Sequence, residues 1–414
     1  MPLLIGAFFC GTKHVFFKTY YGNISNIIKT TIIMSPIGLH LIFKFLWRIF
    51  NPFIRDDIKP SILRFFIMLL FIFFYGILQL VNRLFLALDN IFFVSYKKID
   101  IVKPVFIVGV PRSGTTFMHN ILSEDKKNFT TCTLGEMLFA PSIIQKLFFQ
   151  KFLSIDNLVG SPFKKFILFI ESHILRTLNK RHETGLKAPE EDFLLLLPHM
   201  ACFLLVIPFP YKEMWDLAFF NRAYDNRTRK KIMSIYKNAI QRHMYVYGKN
   251  RTYLSKNASF CGWIKDLKDT FPDISLICCI RPPDQTIPSI LSIMKKGWGY
   301  FKTNLNIENM HANIIHMMEY YCNCILTQDK INSNTNWLVL PMSKMQNHLE
   351  DTIKLIYVRF NFNLRKNYFD FVKKEADISR GYISKHDYKK DLKIIKTSLL
   401  DRFKNFYSFY DLKH

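Results

Sequence analysis

The chain has 414 residues, half of them hydrophobic, with 41 Phe and a formal net charge of +25. That length accommodates one large α/β domain with an extension, or two domains, and burying a core is no difficulty. The basic surplus favours anionic partners such as nucleic acid, acidic lipid, polyanionic sugar or a phosphate-rich cofactor, but Lys, Asn, Ile and Phe are abundant together, so charge alone selects none of them. Eight cysteines (Cys10, Cys132, Cys202, Cys261, Cys278, Cys279, Cys322 and Cys324) show neither CxxC pairs nor nearby histidine spacing. This argues against a zinc site and against a dense disulfide framework.

The first hundred residues differ from the rest. Met1 to Phe50 holds no Asp or Glu, yet carries Lys13, Lys18, Lys29, Lys44 and Arg48 among many apolar residues. Phe65 to Val81 follows as seventeen residues without a charge, flanked by Arg64 and Arg83. This is the lower limit for a membrane span, about 17–25 residues, and the flanking arginines suit snorkelling. Two readings stay open: membrane contact, as a span or at the surface, and a helix packed on the following domain. No small-residue cleavage site marks a signal peptide. The expected division is a basic, hydrophobic helical region over 1–100 and a catalytic domain over 101–414, with a helical insertion at about 140–250.

From Lys103 the texture becomes alternating strands and helices. "PVFIVGV" reads as a buried parallel strand and "TTFMHNILSED" as a helix with Phe117, Met118, Ile121 and Leu122 at helical spacing. A second strand is expected before "LGEM", a helix over Phe148 to Arg176, and a Pro-initiated helix at "APEED" with acids in its first turn. "RTYLSK", "ISLICCI" and "NWLVLP" are further strands, and "PDQTIPSILSIMKK" starts another helix. The alternation predicts an α/β fold: a central parallel sheet covered by helices.

Gly109 to Thr116, "GVPRSGTT", has the two glycines of a phosphate-binding loop at the separation of G-x-x-x-x-G-K-[ST], with Thr115 at the lysine position. A strand, a glycine turn and a helix start together form a nest of N–H groups at the positive end of a helix dipole. Arg112 adds charge and the threonines add hydroxyls. Without the lysine, hydrolysis of a nucleoside triphosphate lacks a main electrostatic element.

"PVFIVGVPRSGTTFMHNIL" resembles the 5′-phosphosulfate loop of sulfotransferases that use 3′-phosphoadenosine-5′-phosphosulfate (PAPS), in particular the bacterial-type branch and its distant tyrosylprotein relatives. "YLSKNASFCGWIKDLKDTFPDISLICCIRPPDQTIPSILSI" follows the family order of strand with lysine, helix, Phe-Pro turn, strand ending in arginine, and helix bearing serine. Arg281 and Ser289 match the family's 3′-phosphate pair, and two helical turns between them let both close on one phosphate. The resemblance covers roughly Pro104 to Leu291. It implies a three-layer fold like that of P-loop nucleotide hydrolases. It also implies PAPS as co-substrate, with Arg112, Ser113, Gly114, Thr115, Thr116, Arg281 and Ser289 holding it. A weaker match at Ser384, His386 and Tyr388 implies a nucleotide-side segment.

Sulfonate transfer is an in-line displacement that needs a base for the acceptor hydroxyl or amine and cations for the departing oxygen. The resemblance places Glu136, after the second strand, as the base; His119, His182 and an acid of Glu190, Glu191 and Asp192 are its competitors. Lys256 and Arg112 are the cations for the leaving group, although Asn257-Ala258 replaces the Ser or Asp and Pro that follow the lysine in relatives. No metal and no nucleic-acid partner are expected. The acceptor is a small molecule, lipid or carbohydrate, its pocket supplied by residues between Ala140 and Tyr253. The expected location is membrane-associated, with the cytoplasm as alternative. Two rival readings are a P-loop kinase-like enzyme, which calls for ATP and Mg²⁺, and a non-catalytic module that binds membranes or polyanions. The second leaves the loop and the Arg281–Ser289 spacing unexplained.

Overall fold

The structure is a computed structural model and describes residues 41, 44–48, 61–174, 185–331, 336–381 and 396–412. Five strands, β1 (Val105–Gly109), β2 (Phe129–Thr130), β3 (Thr252–Lys256), β4 (Ser275–Ile280) and β5 (Trp337–Pro341), form one sheet in the order β2-β3-β1-β4-β5. Every pairing is parallel. The helices used below are α1 (Ile62–Phe92), α2 (Thr115–Ser123), α3 (Leu134–Phe139), α4 (Ile143–Leu158), α5 (Pro162–Ile174), α6 (Asn226–Tyr247), α7 (Ile264–Thr270), α8 (Pro283–Tyr300), α9 (Ile307–Ile331), α10 (Leu349–Arg359) and α11 (Lys366–Arg380).

The strands read as unbroken apolar runs because both faces of the sheet are covered. Successive residues of β1 enter different cores. Val105 and Ile107 pack with Met118 and Leu122 of α2 and Ile353 and Ile356 of α10. Phe106 and Val108 pack with Tyr236 and Ile240 of α6, Leu267 of α7 and Ile325 of α9. Two-residue periodicity thus distributes one run between two layers. Gly109 is obligatory in this arrangement: it adopts φ 149°, and a Cβ there would lie 2.1 Å from the carbonyl oxygen of Cys279 on β4.

All five strand expectations hold, and two helix expectations are corrected. The helix expected over 148–176 is broken. Gly160 and Ser161 take positive φ between α4 and α5, and the buried Asp156 carboxylate accepts from the N–H groups of Phe163 and Lys164 at 2.8 and 3.1 Å. The Pro-initiated helix does not begin at Pro189, which instead bridges Thr133 in antiparallel fashion. A 3₁₀ helix starts later, at Asp192–His199, because Phe193 to Leu197 are all buried. A helix with a single apolar stripe cannot bury five consecutive residues on one side.

Helix α1 is the one described helix long and apolar enough to cross a membrane by length and composition. It lies on the α/β body with its polar side inward. Arg64 donates to the carbonyl of Pro208 at 3.0 Å and to that of Phe301 at 3.1 Å, and it also bonds Thr303. Tyr75 donates to the carbonyl of Leu197 at 2.7 Å, Arg83 to that of Pro198, and Asn82 to that of Leu138 at 2.9 Å. Asp89 is wholly buried, caps α4 through the N–H of Ile143 at 2.8 Å, and pairs with Arg242 of α6 at 3.0 Å.

Candidate active site

The loop after β1 turns through two left-handed residues, Arg112 at φ 69° and Gly114 at φ 91°. Gly114 is the N-cap of α2 and brings no side chain to the helix start. The first N–H groups of a helix lack intrahelical acceptors, so here they face the loop's concavity with the dipole behind them. Ser113 is fully buried, and its Oγ has no hydrogen-bond partner among the described residues. A buried hydroxyl without a partner marks a place for an acceptor or donor from elsewhere.

Chain-distant residues gather on this loop. Arg112 Nε donates to Ser289 Oγ at 3.0 Å. Arg281, just beyond β4, donates to the carbonyl of Arg112 at 3.5 Å and to Oε1 of Gln285 at 3.0 Å. The sequence-predicted pair Arg281 and Ser289 therefore meets the loop itself. Gln285, one helical turn from each, went unnoticed in the sequence, where only its position between the two hinted at a role.

A second group converges on Lys256. Parallel pairing sets Lys256 beside Ile107 near the carboxyl ends of β3 and β1. Its side chain is 2% exposed, and Nζ donates to Thr116 Oγ1 at 3.2 Å. Nζ also lies 3.4 Å from Glu190 and 3.3 Å from Glu191. The loop's missing lysine is thus supplied from a neighbouring strand. Two buried polar atoms beside this group lack partners among the described residues: Nδ2 of Asn257 and Nδ1 of His119. The other nitrogen of His119 is hydrogen-bonded with Thr131 Oγ1 at 2.8 Å. Burial, followed by the nearby Lys256 ammonium, holds the His119 imidazole well below its usual range, so it is neutral.

The other candidate bases sit differently. Glu136 occupies the third position of α3 and closes a capping box: its carboxylate accepts from the N–H of Thr133 at 3.0 Å. Burial pushes its carboxyl up, but His243, Lys146, the Thr133 N–H and Tyr247 outweigh it and hold the group below the ordinary carboxylate range. Glu136, Cys132 and His243 offer atoms within 4.8 Å of one another, a grouping that sequence spacing concealed. Their needs are already met. Lys146 sits in the same cluster, while His243 bonds Thr130 at 2.8 Å and Cys132 at 3.3 Å. Asp192 points into the core, where it accepts from Tyr236 at 2.5 Å and Tyr253 at 2.9 Å. Burial raises it to about 6 despite those bonds. His182, Ser384, His386 and Tyr388 lie outside the described residues.

Residues 104–364, more than half of the chain, match the sequence model of the sulfotransferase family. No curated protein sequence matches the chain. Among solved structures it is similar to sulfotransferase STF9 from Mycobacterium avium, with 15% identity over 94% of this chain and 96% of that one and a TM-score of 0.69. It is also similar to sulfotransferase STF1 from Mycobacterium tuberculosis H37Rv, with 14% identity over 92% and 97% and a TM-score of 0.61. At these identities the two structures speak for the fold alone.

Proposed function

Because the chain belongs to the sulfotransferase family, we propose that it moves the sulfonate group of PAPS to an acceptor hydroxyl or amine. One observation carries the choice of donor: Arg112, Ser289 and Arg281 are joined at a helix start whose N–H groups are uncapped and whose Ser113 hydroxyl is unpartnered. These residues fit a nucleotide with phosphate at two positions. Arg281 and Ser289 take the 3′-phosphate, and Ser113 to Thr116 with Arg112 take the 5′ group. PAPS supplies an activated sulfonate on a phosphate oxygen.

Lys256 is placed to neutralise the oxygen that departs, since its ammonium already rests on Thr116 of the loop. For the base, the geometry favours Glu190 or Glu191 over Glu136. The two acids contact Lys256, whereas Glu136 is engaged as a cap and its carboxyl is held below the ordinary range, which weakens it as a proton acceptor. A carboxylate beside Lys256 takes the acceptor's proton as the new sulfur–oxygen or sulfur–nitrogen bond forms. Lys256 then shifts its contact from that carboxylate toward the leaving oxygen. Neutral His119 is a second proton acceptor at the same place, with Nδ1 available.

The acceptor is a small molecule, lipid or carbohydrate received by the insertion that carries Glu190 and Glu191, and the enzyme works in contact with a membrane through α1. Calorimetric titration tests the donor. The chain is expected to bind 3′-phosphoadenosine 5′-phosphate in preference to ATP with Mg²⁺; the reverse preference overturns the reading.

A further inference from the structure

Helix α1 inverts the usual arrangement of an amphipathic helix on a soluble body. Its polar residues Arg64, Tyr75, Asn82, Arg83 and Asp89 are bonded to the body beside the buried Met68, Leu86 and Ala87, while a row of its large apolar residues points away. Phe66, Leu70, Phe73, Phe74, Ile77 and Leu80 are exposed, Phe73 at 59%. A contiguous apolar face of this extent marks an interaction surface on a soluble protein.

The α4–α5 hairpin extends that surface. It is tied to α1 through Gln145, which donates to Asn82 at 3.0 Å, and through the Asp89 cap on Ile143. The hairpin exposes Phe148, Ile155, Leu158, Val159 and Phe166, with Leu158, at its turn, at 86%. Between residues 143 and 169 its exposed charges are all cationic, namely Lys151, Lys164 and Lys165; the one acid, Asp156, is buried as the cap of α5. Aromatic and aliphatic side chains interleaved with lysines are the composition of a surface that enters an anionic headgroup layer.

We infer that α1 and the α4–α5 hairpin form one docking surface for an anionic bilayer, on which the chain lies without crossing it. The inference rests on the membrane contact proposed above and adds its surface, lipid class and orientation. Geometry decides between lying and crossing. Arg64 and Asp89 are about 38 Å apart along the helix at 1.5 Å per residue. Both are bonded to the same α/β body, so a span would draw that body through about 30 Å of hydrocarbon.

Vesicle flotation of the full chain tests the surface. Binding is expected to phosphatidylserine-containing vesicles over pure phosphatidylcholine. It should fall by about tenfold or more in Phe148→Glu/Phe166→Glu and in Phe73→Ser/Phe74→Ser. Cooperative thermal unfolding of each variant verifies folding, because the replaced residues are exposed. Unchanged binding in the hairpin variant, or a dimer that ignores vesicles because a second copy covers the face, overturns the proposal. Depth-dependent quenching of a fluorophore at Phe73→Cys reads orientation. Quenching at the headgroup boundary is expected, and quenching at the bilayer centre establishes a span. Binding of 3′-phosphoadenosine 5′-phosphate, measured on the same samples, separates the two readings: an unmodified chain that binds the nucleotide but no vesicle counts against the surface alone.

Discussion

Arg112 and Ser289 are 177 positions apart in the chain and 3.0 Å apart in the fold, with the arginine's Nε donating to the serine hydroxyl. The bond ties the loop after β1 to the helix after β4. It joins the region proposed for the 5′ group to the region proposed for the 3′-phosphate. Each of the two side chains then has a partner before any ligand arrives, which lowers the ordering cost of binding.

Loss of the 3′-phosphate pair should appear as loss of affinity. Arg281→Ala is expected to weaken binding of 3′-phosphoadenosine 5′-phosphate by roughly 10- to 100-fold, the range for removing a charge-assisted hydrogen bond. Ser289→Ala should cost less, about tenfold, because one neutral donor is lost. Isothermal titration measures both. Equal affinities for adenosine 5′-phosphate and its 3′-phosphorylated form in the unmodified chain would remove the assignment.

The base is identified by separating turnover from binding. Glu190→Gln and Glu191→Gln are expected to retain nucleotide affinity, and the responsible one should lower kcat by about 10²- to 10⁴-fold. Glu136→Gln should act on stability, by about 1–3 kcal/mol, since it removes a charged partner from the Thr133 N–H and Lys146. If Glu136→Gln instead folds normally and abolishes turnover, Glu136 is the base.

Asp192 gives the fold a pH dependence of known sign. Its carboxyl is raised from 3.8 to about 6 in the folded chain, so the folded state binds the proton more tightly. Stability attributable to this group is present below about 4 and is lost as pH rises to about 6, in total about 2–3 kcal/mol. Asp192→Asn removes that dependence. The difference in melting temperature, variant minus parent, should grow in the variant's favour between pH 4 and 6 and then level off. A flat difference across that window contradicts the assignment.

Asp89→Ala should loosen α1. It leaves Arg242 buried without its carboxylate and removes the cap from α4, an expected cost of about 3–5 kcal/mol. Thermal unfolding reads the cost. Proteolysis within residues 62–92 is expected to accelerate before the body unfolds, whereas coincident loss of both would show that α1 does not open separately.

Much of the fold is legible because its determinants are local. A β-branched apolar run, a glycine turn and helical spacing announce β1, the loop and α2 within twenty residues, and the spacing of Arg281 and Ser289 follows from one strand end and one helix. At the 3₁₀ segment Asp192–His199, burial on all sides, a tertiary property, overrides the acidic first turn that resembles a helix start. The setting of Glu136 is legible only in part. Its place after β2 is visible in the sequence, but its partners His243 and Lys146 are not.

By itself, then, the sequence determined the parallel α/β character, the glycine loop after β1 and the family, since each is written in contiguous residues whose chemistry does not depend on distant neighbours. Only the tertiary structure decided which side chains meet. It brings Lys256 to Thr116 across 140 positions and to Glu190 across 66, supplying the lysine that the loop lacks. It also turns α1 so that arginines and asparagine face the body while Phe66, Phe73 and Phe74 face outward. The reason is physical. An apolar stretch fixes how much surface must leave water, whereas the partners available to its few polar groups fix which side is buried.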